Sequence, residues 1–329
     1  MKSITIIIVQ IGLFVFGIAE LFAQQQFHFS QYMINPYVLN PAVGGTSDAL
    51  DLKLGYRSQW QGFDGAPASY YFTGHTPLRI KSKPDPTKKI VPFHSVGALI
   101  YQDEAGPLRR LSALASYGYN LPLTPKLRLA MGLFAGVLNI SIDQSKLNFG
   151  QDDEVLSYDS KTVPDASAGV WLHGDHFFLG LSSNHLFFNE LNFITDSNDE
   201  KDNLTYHFHF IHGYNIPLGY AGRQGYDYYM VPSVLVKYAG SGTSPSADIN
   251  LKVFRKDLMW LGASYRHKDA VAMLFGMTLF KNNGHALELG YSYDYTLSNI
   301  NVFSNGSHEI VLSYKIQHKQ GVLCPDNFW

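Results

Sequence analysis

Charge and cysteine are both scarce in this chain. Of its 329 residues only 16 % are Asp, Glu, Lys or Arg, against about 25 % in ordinary soluble domains. The balance of 25 basic to 27 acidic residues carries no basic excess, which removes the electrostatic footprint that nucleic-acid binding requires. The single cysteine, Cys324, closes no intramolecular bridge and builds no cysteine metal site, so a disulfide framework and a zinc finger are both excluded. After residue 23 no stretch reaches the roughly 18 apolar residues of a membrane-spanning helix. What the chain has in quantity is apolar and aromatic: 46 % hydrophobic residues, 21 Tyr and 22 Phe, too many for a disordered polymer. A secreted β-protein or an outer-membrane barrel remains.

The first 23 residues read as a secretory leader. Lys2 is the positive start, 4–18 is an apolar run broken by Thr5, Gln10, Gly12 and Gly17, and cleavage after Ala23 leaves Gln24 first. Glu20 interrupts the run before it is long enough for a clean membrane anchor.

Most of the remainder alternates with period two, the signature of a half-buried strand. In 285–296, Leu287, Leu289, Tyr291, Tyr293 and Tyr295 share one face, while Glu288, Gly290, Ser292 and Asp294 share the other. In 308–317, Ile310, Leu312, Tyr314 and Ile316 oppose Glu309, Ser313 and Lys315, with Val311 as an exception. Leu127, Leu129, Met131, Leu133 and Val137 oppose Arg128, Ala130, Gly132 and Gly136; Ile249, Leu251 and Val253 oppose Asp248, Asn250 and Lys252. Fourteen or so such segments are expected: 50–58, 68–76, 94–103, 109–119, 126–141, 165–173, 175–184, 204–214, 227–238, 247–255, 258–267, 270–280, 285–296 and 308–317. Each is close to the 9–11 residues a tilted strand needs to cross a bilayer. So many greasy faces overfill a sandwich core but suit a lipid-facing belt around a polar lumen. Tyr70, Tyr71, Tyr117, Tyr119, Tyr228, Tyr229, Tyr293 and Tyr295 gather near segment ends, where aromatic girdles meet headgroups.

The connections agree. With both termini in the periplasm, the external connections 142–164, 185–203 and 297–307 are long and polar, whereas the internal ones at 121–125, 174, 256–257 and 281–284 are tight. Two internal connections are exceptions: the basic 77–93, with Lys81, Lys83, Lys88 and Lys89, and the Gly- and Tyr-rich 215–226. The expected organisation is a leader at 1–23, a plug or periplasmic segment at 24–49, a transmembrane antiparallel barrel at 50–318 and a periplasmic tail at 319–329.

Residues 27–49 do not alternate. Asn35-Pro36 and Asn40-Pro41 punctuate the segment and Gly44-Gly45 closes it; proline pushes the preceding residue out of the helical region, so turns and short helical pieces are expected. Tyr32, Met33, Ile34, Tyr37, Val38 and Leu39 are poor residues for a solvated tail, which favours an ordered segment folded into the lumen.

These motifs carry a family resemblance. Gln31, Tyr32, Met33, Asn35, Pro36, Asn40, Pro41, Ala42 and Gly44, followed by Arg57, Gln59, Trp60, Gly62, Gly65, Ala66 and Pro67, resemble the PorP/SprF outer-membrane proteins of the type IX secretion system. The 103–107 turn, His308-Glu309-Ile310, and Cys324-Pro325 with Phe328 resemble the family's third-strand turn, closing strand and tail, the tail with one extra residue before Phe328. The resemblance implies a fatty-acid-transporter-like all-β barrel of about 14 strands, with no enzymatic activity, no cofactor and no bound metal. It implies location in the outer membrane of a Gram-negative bacterium. It also implies partners: a secreted adhesin bearing a type IX C-terminal signal, and periplasmic or outer-membrane secretion-machinery proteins. The alternative is a transporter for hydrophobic small molecules.

Candidate partner-binding or plug residues are therefore Tyr32, Asn35, Pro36, Asn40, Pro41 and Gly44 in the N-terminal segment. Arg57, Gln59, Trp60 and Gly62 are the candidates in the first external loop, where Arg and Trp are favoured interface anchors. The competing role for Arg57 is pairing with lumen carboxylates, and for Trp60 a place in the interfacial girdle. Cys324 is a candidate for an intermolecular disulfide. His207 and His209 fall on one face of a strand but lack an identifiable third ligand. The acidic runs Asp152, Asp153, Glu154, Asp159 and Asp196, Asp199, Glu200, Asp202 have no EF-hand spacing. No G-x-S-x-G nucleophile elbow is present.

Overall fold

The computed structural model describes residues 30–78, 91–143, 146, 160–187, 205–219, 227–240 and 245–317. The expected leader, the basic run at 81–89, both acidic runs and Cys324 with its tail lie outside them. Strands run Ala49–Ser58 (β1), Ala68–Leu78 (β2), Phe93–Ala105 (β3), Leu108–Thr124 (β4), Leu127–Ile142 (β5), Lys161–Gly174 (β6), Phe177–Asn184 (β7) and His207–Tyr214 (β8). They continue with Ile216–Leu218 (β9), Tyr228–Ala239 (β10), Ser246–Arg255 (β11), Met259–Arg266 (β12), Ala270–Asn282 (β13), His285–Thr296 (β14) and Ser307–Gln317 (β15).

Each strand pairs antiparallel with its neighbour in sequence, and β1 pairs with β15 to close the ring. The short β9 continues β8 past a break at Asn215, and both pair with β10. The result is a closed 14-strand antiparallel barrel, a form that leaves no open sheet edge in a bilayer. Alternation decides what each face meets. Leu54, Leu133, Ile249, Leu261 and Met273 stand exposed on the outer wall, whereas Asp51, Lys53, Arg57, Arg128, Asp248, Glu309 and Ser313 are buried inside. Greasy side chains out and polar ones in is the arrangement lipid demands.

Several strands outrun their sequence patterns. β4 reaches Thr124 because a register shift between Pro122 and Thr124 absorbs the proline, which shrinks the turn to 125–126. β6 begins at Lys161 because its pairing with β5 extends through Ile140. β7 pairs with β6 only from Ala168 to His173, so the wall is lower here and Pro164 lies in the part of β6 that stands beyond β7. Val311, the exception to the alternation of the last strand, faces inward and is 1 % exposed; it packs with the N-terminal segment in one buried apolar cluster.

Candidate functional site

Residues 30–48 lie inside the barrel and cross it from one end to the other. Ser30 sits near the outer ends of the strands. Its N–H donates to Glu309 Oε2 at 2.8 Å, and its hydroxyl bonds to Asp294 Oδ2 and receives Arg57 Nη1 at 2.8 Å and Arg266 Nη2 at 3.2 Å. Gln31 Nε2 donates to the Glu309 carbonyl at 2.8 Å. Halfway down, Asn35 Nδ2 donates to Thr73 Oγ1 at 3.0 Å, and the Tyr37 hydroxyl lies 2.5 Å from Ser116 Oγ. The Tyr37 ring packs edge-on against Phe134 and tilted over His75, with centroids 5.0 and 4.5 Å away. Beneath the outer cavity Ser182 Oγ donates to the Leu39 carbonyl, and toward the far end the Gly45 N–H donates to His75 Nδ1. The chain then enters β1 at Ala49.

The two Asn-Pro steps form short 3-10 turns, Pro36–Val38 and Pro41–Val43, with proline at the first turn position. Asn40 uses both ends of its amide. Its Oδ1 accepts from the Ala42 N–H at 3.0 Å and caps the second turn, while its Nδ2 donates to the wall carbonyls of Val170 and Leu181 at 3.0 and 3.1 Å. No other small side chain pairs an acceptor with two donors in this geometry. The wall is thinned where the segment presses on it. A Cβ on Gly132 would stand 2.4 Å from the Ala42 nitrogen, and one on Gly169 would stand 2.1 Å from Asn40 Oδ1. Gly45 is required by conformation as well: its φ is +78° and a Cβ would meet Ser95 Cβ at 2.7 Å.

An ionic cluster surrounds Ser30. Arg57 Nη2 is 2.8 Å from Asp294 Oδ2 and its Nη1 is 3.2 Å from Glu309 Oε2. Arg266 lies 2.8 Å from Asp269 and 3.5 Å from Asp248, and Lys237 lies 3.0 Å from Asp248. Arg57 is 2 % exposed, so its guanidinium is part of the interior rather than of the external loop. Trp60 is 9 % exposed, adopts φ +49° and donates its N–H to Ser307 Oγ at 3.1 Å. Gln59 donates its N–H to the Pro67 carbonyl across the loop. The same loop exchanges backbone bonds with the β14–β15 loop, Gln61 to Gly306 and Asn305 to Gln61. The part of the loop open to a partner is 61–65, containing Gly62 and Phe63.

Two spaces flank the segment. Toward the outer end, a cavity has an apolar floor of Val38, Leu39, Leu99, Leu114 and Phe134 and a polar rim that includes Arg110, Asp165, His185 and His207. His185 Nδ1 is 3.0 Å from Asp165 Oδ2. His207 and His209 both line this cavity, as their alternation predicts, but among the described residues no group of three or more His, Cys, Asp or Glu is placed to hold a metal. At the end that carries Ala49 and Gln317, a wider vestibule is lined by Lys252, Arg255, Lys256, Lys281 and Lys315, with Tyr229, Phe254 and Trp260. The sequence reading missed this second site, because its residues come from five strands and only register brings them together.

The fold and filled lumen define an outer-membrane β-barrel occupied from within by its own N-terminal segment. The chain belongs to the PorP/SprF family, described as type IX secretion system membrane proteins, whose model matches residues 21–314. No curated protein matches it. Among solved structures, a toluene transporter of P. putida, TodX, shares 10 % identity with a TM-score of 0.53, covering 90 % of this chain and 95 % of that one. The monoaromatic hydrocarbon channel CymD shares 11 % identity with a TM-score of 0.50, over 92 % and 96 %. A Pseudomonas aeruginosa FadL homologue shares 9 % with a TM-score of 0.50, over 84 % and 92 %. These similarities establish the FadL-like barrel fold, and with its membership of the family the chain is an outer-membrane protein.

Proposed function

We propose that this barrel is a closed, non-enzymatic docking component of type IX secretion, which supports export or surface anchoring of a large adhesin through the adhesin's C-terminal signal and engages periplasmic machinery. The observation that carries the reading, beyond family membership, is the occupied lumen. A segment that bonds to strands on several sides of the barrel supports a lumen obstructed to a folded or extended cargo. The segment is read as a plug, and Tyr32, Asn35, Pro36, Asn40, Pro41 and Gly44 as the residues that seat it. Contacts with a secreted partner fall to the exposed 61–65 tip of the first external loop, with Arg57, Gln59 and Trp60 holding that loop in shape.

The test is affinity purification of the tagged barrel from detergent-solubilised outer membranes, with co-purifying chains identified by mass spectrometry. A large secreted adhesin or periplasmic secretion-machinery proteins are the expected companions. Recovery of the barrel with lipid alone refutes the docking role.

A second reading, binding or passage of a hydrophobic small molecule, is favoured by the outer cavity, whose apolar floor lies beneath a polar rim, the kind of lining that small-molecule sites have. Fluorescence displacement with an apolar dye, compared between the native protein and Leu114→Trp, tests it. Equal dye binding by both removes this reading.

A further inference from the structure

The greasy outer wall carries hydrogen-bond donors at its edges. The alternation that turns Ile100, Leu251, Leu287 and Ile310 outward also turns His94, Arg255, His285 and His308 outward at the ends of β3, β11, β14 and β15. Each of these histidines is coupled to a tyrosine of the neighbouring strand. Nδ1 of His94 lies 2.6 Å from the Tyr117 hydroxyl, Nδ1 of His285 lies 2.8 Å from that of Tyr314, and Nδ1 of His308 lies 2.7 Å from that of Tyr291. The geometry repeats. In the register His94 faces Tyr119, His308 faces Tyr293 and His285 faces Ile316, and the bonded tyrosine is in every case the next outward residue toward the middle of the strand. Arg255 makes a related couple, its guanidinium 5.8 Å from the ring of Tyr228, which stands opposite it in the register.

The coupling fixes what each imidazole offers. A phenol is a better hydrogen donor than a neutral imidazole, so the tyrosine O–H donates to Nδ1 and the ring hydrogen stays on Nε2. Nε2–H is then a donor on the far side of the ring, at the edge of a lipid-facing wall, where side chains meet the headgroup layer. The charged acceptors of that layer are phosphodiester oxygens. A guanidinium at the same level takes the same oxygens through paired N–H groups. Of the four couples, those of His94, His285 and Arg255 lie on the rim that carries Ala49 and Gln317, and that of His308 lies on the opposite rim. The three are carried by β3 with β4, β14 with β15 and β10 with β11, which are separated around the ring. They would therefore grip three sides of the barrel at one level. Tyrosine alone would build an aromatic girdle without them.

We infer that the termini-bearing rim of the outer wall is a binding site for phospholipid phosphate, in which His94 and His285 each donate Nε2–H and Arg255 donates its guanidinium N–H groups to headgroup phosphodiesters. The bilayer is the occupant because the rim continues the lipid-facing wall: Ile100, Leu251 and Leu312 are exposed on the same outward faces of β3, β11 and β15. The site sets the depth and tilt at which the barrel sits in the membrane. The inference is independent of the docking reading above.

The experiment uses the full-length barrel in an uncharged detergent, titrated with phosphatidylglycerol or with diacylglycerol of the same chains, and native mass spectrometry counts the bound lipid. Phosphatidylglycerol is expected to bind about tenfold or more tightly than diacylglycerol, which lacks the phosphate. His94→Phe with His285→Phe and Arg255→Met keeps the rings and the apolar stem. This variant is expected to weaken phosphatidylglycerol by about tenfold and to leave diacylglycerol unchanged. His94→Gln with His285→Gln, whose amides restore an N–H donor, is expected to stay within about threefold of the native barrel. Heat-dependent gel mobility reports folding; should the triple variant fail to assemble, Arg255→Met alone is measured, with a loss of about threefold expected. Equal binding of the two lipids, or undiminished phosphatidylglycerol binding by the folded variant, overturns the inference. So does a Gln variant as weak as the Phe variant, which would reduce the histidines to acceptors for the tyrosine hydroxyls. Displacement of the lipid by millimolar inorganic phosphate would assign the rim to a free anion. Loss of co-purifying proteins from the triple variant with lipid binding unchanged would assign it to a protein partner. Either result also overturns the inference.

Discussion

Replacing Arg57 with Met tests whether the ionic cluster holds the lumen together. The side chain is 2 % exposed, with Asp294 and Glu309 at 2 % and 0 %. Met keeps the apolar stem and removes the charge. Asp294 retains a second cation, Arg266, at 3.8 Å. Glu309 retains only hydrogen bonds, chiefly the Ser30 N–H at 2.8 Å. The cost therefore falls mainly on one buried carboxylate left without its ion partner, for which about 3–5 kcal/mol is typical. Remaining donors to both acids place this case near the lower end, at about 3 kcal/mol. Urea unfolding of the barrel in micelles, followed by tryptophan fluorescence, measures it. Adding Glu309→Gln removes the orphaned charge and is expected to restore most of the loss. A loss below about 1 kcal/mol, the scale of an exposed pair, or no recovery with Glu309→Gln, refutes the argument that charge burial is what Arg57 relieves.

Three other changes probe separate parts of the same account. Asn40→Leu removes the turn cap and both donors to the wall; a loss of about 2 kcal/mol in seating the segment is expected, and planar-bilayer recordings should show new channel openings that the native protein lacks. Gly169→Val places a side chain where Asn40 Oδ1 already stands, since even a Cβ would approach to 2.1 Å; the same recordings should show a leak as large as that caused by deleting 30–48. Leu133→Arg, at the middle of β5 on the outer wall and 56 % exposed, should cost about 2–4 kcal/mol in bilayer-refolded protein. That loss should shrink when unfolding is measured in short-chain micelles.

The barrel was legible because a period of two is a local property. Leu287 to Tyr295 and Leu127 to Val137 announce their outward faces without reference to any partner. The closing seam and the lumen chemistry were not legible in the same way. Nothing near Arg57 in sequence indicates that its partners are Asp294 and Glu309, more than 200 residues away, although pairing with lumen carboxylates was one of its two expected roles. Val311 broke the pattern for a tertiary reason: the inward face there meets an apolar segment rather than water. The expected segments 109–119 and 165–173 stop short of Pro122 and Pro164, yet a bulge at one and the low wall beside the other let the strands run on. The Asn-Pro steps did announce turns. What they could not announce is that the wall keeps glycines at 132 and 169 to receive those turns.

The position of the ionic cluster links insertion of the N-terminal segment to closure of the barrel. Arg57 is on β1, Glu309 on β15 and Asp294 on β14, and in the β1–β15 register Arg57 stands directly opposite Glu309. The pairing that seals the ring is thus the pairing that assembles the Ser30 site. Before closure the two halves of that site are at opposite ends of the barrel sequence, and Ser30 has no place to bind. After closure an empty site would leave Glu309 and Asp294 short of donors in a buried setting, a costly condition. Seating the segment and zipping the seam should therefore stabilise each other. Ser30→Ala, which alters nothing in the strands, is expected to slow the appearance of the heat-resistant, fast-migrating folded form during refolding from urea. The control Thr46→Ala, at the other end of the segment and with its hydroxyl donating to the Val43 carbonyl within it, should leave that rate within about twofold, since that bond lies within the segment rather than at the seam cluster. Equal refolding rates for the two variants would separate the steps and remove the coupling.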